Sequence, residues 1–288
     1  MRDTYLKINS IANQEIYRFI KLYDISRLDY TFEPFFNYMV ENKKVKVMGH
    51  HFSDDVLLGI TMVDRLGTSI SYEIDCPPFR QNFTKCHELG HLILKHKGKV
   101  FAESKRNQNP QEVEADYFAS FVLAPDIILL SKIVYQRKYF HELAAELKMS
   151  NQALETRLHY FLTYYCQHTQ QVVNNLLSSY KRYHTKDIVA AVKRIENHII
   201  KNYEAVTISD KQKLEILLTT KNFITNYDIA SLENKEFQKE IKEEFHHIET
   251  FAYYEKGLTL WYLWNTKKLS TEEARRKAKL LHYDLQNK

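Results

Sequence analysis

The sequence predicts an α+β protein, with a small three-stranded, mostly antiparallel sheet and its helices first and helices alone beyond. Three observations carry this. Alternating and short apolar runs fill residues 44–75, where the helical spacing of the preceding segment breaks off. From about 126 onward, apolar residues recur at helical spacing to the end of the chain. Glycine (6) and proline (5) are scarce in 288 residues, which favours helix and leaves little room for glycine-rich phosphate loops.

The elements follow in order. Residues 1–43 predict helices: Ile8, Ile11, Ile16, Phe19, Ile20 and Leu22 share one stripe, and Phe32, Phe35, Phe36, Tyr38 and Met39 form a second apolar cluster. The strands are expected at 44–48, where Lys and Val alternate, at 56–63, an apolar run opening on Val56, and at 69–74, which alternates again. Pro77-Pro78 closes the sheet. His50 and His51 are adjacent and point to opposite faces of a strand, so they cannot hold one ion together.

Residues 83–94 predict a helix, and it carries His87-Glu88-Leu89-Gly90-His91. His87 and His91 then lie one turn apart on one face, where two neutral imidazoles reach a single metal ion. Glu88 points to the edge of that face and is placed to take a proton from a water held by the ion. Leu89, Leu92, Ile93 and Leu94 bury the remainder. Gly90 costs a helix about 1 kcal/mol against Ala, which suits a close approach by another backbone or a substrate strand. His96, five residues past His91, is expected to point away and be exposed.

A third ligand must come from elsewhere, because catalytic zinc sites usually hold three protein ligands. Residues 110–125 read as a helix with Pro110 near its start and Pro125 past its end. Glu112 and Asp116 share a face with Ala115 and Ala119, small residues that permit tight packing. Glu112 is the expected carboxylate ligand. Asp116 is the expected acceptor that holds one histidine by its other ring nitrogen. Glu114 faces another way and is a ligand only if Glu112 is not.

Between these helices Lys95, Lys97, Lys99, Lys105 and Arg106 predict a basic loop at the cleft rim. Residues 140–158 predict a helix-turn-helix-like unit: Leu143, Ala144 and Leu147 pack against Ala153, Leu154 and Leu158, Ser150 caps the second helix, and Lys148 replaces the glycine usual in such turns. Beyond it helices are expected at 164–183, 186–203, 210–227, 232–264 and 271–286, the last opening on Ser270-Thr271-Glu272-Glu273.

Composition sets the class. Hydrophobic residues at 44% and charged residues at 27% describe a globular chain, and a net charge of +5 is too mild to argue for nucleic acid. Cys76, Cys86 and Cys166 are widely spaced and suggest no disulfide framework, so a reducing cytoplasmic setting is expected. With no signal-length apolar segment and no eighteen-residue apolar run, no membrane association is expected.

Phe83-Thr84 before the HELGH run, followed by Glu-Val-Glu-Ala-Asp-Tyr-Phe-Ala at 112–119 and a closing Ala124-Pro125, resembles the ImmA/IrrE family of metallopeptidases. The resemblance covers roughly residues 20 to 165. Lys85-Cys86 and Asp116 depart from its usual residues without removing a ligand. It implies a zincin-like domain at 1–130 with the helix-turn-helix-like unit at 131–165 beside it; the stretch at 166–288 lies outside the resemblance and is expected, from its helical pattern, to be an all-helical domain for sensing or partner binding. The resemblance also implies a metallo-endopeptidase with His87, His91 and Glu112 on Zn2+ or another divalent transition metal, and Glu88 as catalytic base. The implied substrate is a helix-turn-helix repressor of a mobile element or stress regulon. The alternatives are a DNA-binding regulator with a vestigial metal site, indifferent to chelation, and a signal-binding scaffold governed by its C-terminal helices.

Overall fold

The computed structural model describes residues 1–52, 57–104 and 109–286. Val56, Lys105 and Arg106, named above, lie outside these. The chain forms two compact units, Met1–Val206 and Thr207–Lys288.

The first unit opens with α1 (Arg2–Leu22) and α2 (Phe32–Asn42), joined to β1 (Val45–His50), β2 (Leu57–Asp64) and β3 (Gly67–Glu73). Then come α3 (Pro78–Ile93), β4 (Val100–Ser104) and α4 (Pro110–Leu123). The sheet has four strands in the order β1-β3-β2-β4, not the three expected. β1 runs parallel to β3 in the register Val45↔Thr68, whereas β2 is antiparallel to both β3 and β4. Sequence reading missed β4 because its five residues follow a lysine-rich stretch whose polarity masks the inward Phe101 and Glu103. As an edge strand, β4 needs only one paired side and tolerates such surroundings.

Helices α5 (Asp126–Leu130), α6 (Phe140–Glu146), α7 (Asn151–Tyr160), α8 (Gln170–Lys181), α9 (Lys186–Lys193) and α10 (Glu196–Ala205) complete this unit, with π-helical turns at Ser131–Tyr135 and Phe161–Tyr165. One continuous core runs from Tyr5 through Phe118, Leu143 and Leu158 to Ile199. The expected breaks at 130 and 165 therefore do not separate compact bodies. α6 and α7 meet across a short turn in which Lys148 takes the left-handed conformation (φ 53°) otherwise favoured by glycine. Ser150 caps α7, accepting from the Ala153 amide at 3.0 Å. A buried charge ties α7 inward: the Arg157 guanidinium pairs with Asp126 and donates to Tyr5 Oη at 2.8 Å, while Asn9 Nδ2 donates to Asp126 Oδ2 at 2.8 Å.

The second unit corrects the all-helical expectation. Between α11 (Asp210–Thr220), α12 (Lys235–Glu244) and α13 (Thr271–Gln286) it holds an antiparallel sheet of β5 (Phe223–Thr225), β6 (Ile248–Glu255) and β7 (Leu258–Asn265), in the order β5-β7-β6. β6 and β7 form a hairpin closed by Lys256 and Gly257, both with positive φ, as a two-residue turn demands. Leu263 packs with Leu214 and Ile241, while Leu260, Tyr262 and Trp264 pack with Ala274 and Ala278. Apolar residues thus stand on both faces of β7, a pattern that short apolar runs share with buried helices.

No single helix among the described residues is long and apolar enough to cross a membrane. The bent pair Pro110–Leu123 and Asp126–Tyr135 passes by composition, and most of its apolar side chains, though not the exposed Tyr135, belong to the core.

Candidate metal centre

The site is built where α3 and α4 touch. Their approach is close because Gly90 has no side chain: a Cβ there would lie 3.2 Å from the Phe118 ring and 3.4 Å from the Ala115 Cα. Ala115 and Ala119 are fully buried in the same seam. Asn109 caps α4, its Oδ1 accepting from the Gln111 and Glu112 amides, which sets the first turn and directs Glu112 at α3.

This packing brings His87, His91 and Glu112 together, all buried, with their ligand atoms within 4.8 Å of one another. His87 Nε2 lies 3.1 Å from His91 Nε2 and 3.1 Å from Glu112 Oε2, and His91 Nε2 lies 3.7 Å from Glu112 Oε1. Donors arranged tetrahedrally about zinc at about 2.0–2.1 Å stand roughly 3.3 Å apart, so this triad fits such an ion. Two imidazoles and one carboxylate are also the donor set of many catalytic zinc sites.

The outer ring nitrogens are engaged as well. His87 Nδ1 donates to Asp116 Oδ1 at 2.8 Å. His91 Nδ1 meets His96 Nδ1 at 2.9 Å, and His96 Nε2 reaches Glu114 Oε2 at 3.2 Å. His96 is thus not the exposed residue expected, its side chain being 4% exposed. The helical projection fails because α3 ends at Ile93 and Lys95 turns left-handed (φ 55°), which folds His96 back over His91. The Phe101 ring of β4 stacks on His91 at 4.6 Å.

Glu88 stands against β2. Gly59 makes this possible, since a Cβ there would fall 2.4 Å from Thr84 Cγ2 and 2.8 Å from Glu88 Oε1. Both Glu88 carboxylate oxygens are buried without a hydrogen-bond partner among the described residues. Burial pushes its pKa up to about 8. At His87 burial opposes the charge, but the hydrogen bonds to Asp116 and Glu112 prevail and raise its pKa to about 10. Burial and the neighbouring His87 and His96 lower His91 to about 3. Without metal, then, the hydrogen bonds to Asp116 and Glu112 favour the protonated form of His87. Metal loading is expected to release at least one proton per ion, from His87 and in part from Glu88, and to tighten as pH rises toward 10. Calorimetric titration in two buffers of different ionisation enthalpy checks this, and equal heats in both would contradict it.

Sequence reasoning also missed Glu103, a buried carboxylate of β4 that pairs with Arg80 of α3 and clusters with His87 and Asp116. It offered no motif, being one acid in a polar stretch. A cavity of about 520 Å³ opens beside Asp116 between α3, α4 and α7, walled by Phe79, Phe83, Val113, Tyr117 and Tyr160. His51 is placed elsewhere: it is exposed and pairs with Asp75 at 2.8 Å.

Residues 43–159 match the peptidase family model described as the IrrE N-terminal-like domain. No curated protein and no solved structure matches the chain.

Proposed function

We propose that this protein, whose residues 43–159 match the IrrE N-terminal-like peptidase model, is a cytoplasmic, zinc-dependent endopeptidase of the ImmA/IrrE family. The single observation that carries the reading is the buried triad of His87, His91 and Glu112 with the Glu88 carboxylate, which has no hydrogen-bond partner among the described residues, beside it. When bound there, Zn2+ or another divalent metal supplies a Lewis acid that polarises a peptide carbonyl and makes water more acidic. Its positive charge also favours the ionised form of Glu88. Glu88 then takes the proton of the attacking water and passes it to the leaving amine. Asp116 keeps the His87 ring in the tautomer that offers Nε2 to the ion.

The substrate lies extended along β4, whose outer edge is free of other strands among the described residues, held by main-chain hydrogen bonds. An apolar side chain of the substrate enters the aromatic cavity beside Asp116. By family resemblance, the substrate is a helix-turn-helix repressor of a mobile element or stress regulon, and its cleavage releases transcription. The unit of α6 and α7 contributes to docking that substrate. Direct DNA reading by α7 is disfavoured, since Arg157 is committed to Asp126 and Glu155 pairs with Lys181. The unit at 207–288 serves sensing or partner binding.

The test is incubation of the purified protein with the repressor encoded nearest its gene, with and without chelator. Chelator-sensitive cleavage at one bond is expected. Sequence-selective duplex DNA binding that ignores chelator, with no cleavage, would favour the regulator reading instead.

A further inference from the structure

We infer that His96 and Glu114 form a positioning relay that holds His91 in its metal-binding tautomer. This rests on the reading of His87, His91 and Glu112 as metal ligands. His91 can offer Nε2 to an ion only if its proton sits on Nδ1. That nitrogen faces His96 Nδ1 at 2.9 Å, so His96 Nδ1 must accept and be unprotonated. The single proton of neutral His96 then sits on Nε2, which faces Glu114 Oε2 at 3.2 Å, an acceptor. Every donor meets an acceptor in this arrangement and in no other assignment that keeps His91 a ligand. The other Glu114 oxygen lies 3.9 Å from the Lys7 ammonium of α1.

The two ligand histidines are therefore supported differently. His87 leans directly on a half-exposed carboxylate, Asp116, whose side chain is 54% exposed. His91 leans on a carboxylate through an intervening imidazole that is itself buried. Phe101 stacks on the His91 face and blocks ring rotation from one side, so the relay fixes the remaining freedom, which nitrogen carries the proton. Glu114 thus has a role that explains a second acid in this turn of α4 without making it a ligand.

The experiment uses the full chain and reads metal affinity by competition with a chromophoric chelator, together with the visible absorption of the Co2+-loaded protein. His96→Leu is expected to weaken Zn2+ binding about 10–100-fold, the usual cost of removing a partner of a ligand histidine, and to alter the Co2+ spectrum. His96→Gln should restore affinity to within about threefold, because its amide oxygen accepts from His91 and its NH2 donates to Glu114. Glu114→Leu should also weaken binding, and the His96→Leu/Glu114→Leu pair should lose no more than His96→Leu alone. Wild-type affinity in His96→Leu, failure of Gln to restore it, or additive losses in the pair would each overturn the relay. If the wild-type chain binds no metal through His87, the reading beneath it fails instead.

Discussion

Glu88→Gln is expected to lower peptide cleavage by about 10²–10⁴-fold, the usual contribution of a positioned general base, while metal stoichiometry stays at the wild-type value. The amide has the carboxylate's shape, so it still fits the narrow space that Gly59 leaves against β2. It cannot accept a proton. Both Glu88 oxygens lack partners among the described residues, so no hydrogen bond of the fold is lost, and unfolding temperature should shift little. Glu88 stands outside the triad of donors, which is why the ion should remain. Cleavage rates measured beside elemental metal analysis separate the two quantities. Near-normal cleavage would remove Glu88 from the mechanism.

Glu112→Ala is expected to lose the metal. Partners of ligand residues typically contribute 10–100-fold to affinity, so a ligand itself should cost more than about 100-fold, and dialysed protein should retain almost none. Cleavage should vanish with it. The helix should survive, because Asn109 still caps its first turn. Full occupancy after dialysis would overturn the assignment. Glu114 would not be the natural substitute, since His96 and Lys7 already engage it. Glu103, clustered with His87 and Asp116, would be the carboxylate to mutate next.

What could be read from the sequence was what depends on near neighbours. His87, Glu88 and His91 share a helical turn, and so do Glu112 and Asp116 with the alanines between them, so spacing alone placed each set on a face. That the two faces meet followed from the resemblance and from Gly90. His96 was beyond such reasoning, because its position depends on where α3 stops and on one left-handed lysine. β4 and the sheet of the second unit were missed for another reason. β4 pairs with a strand distant in sequence, β2, whereas in the local hairpin of β6 and β7 runs such as 258–265 carry apolar residues toward both faces, leaving no alternation to detect.

The buried pair of Arg157 and Asp126 sets a limit on how this protein can be shortened. Its amide and phenol partners, Asn9, Asn13 and Tyr5, all come from α1, far upstream of the stretch that family comparison recognises. Excising 43–159 would therefore strand a charge pair in a half-open core and discard the helix that shields it, at a cost comparable to the whole stability of a domain. An internal start site downstream of α1 would yield aggregating chains rather than a minimal protease.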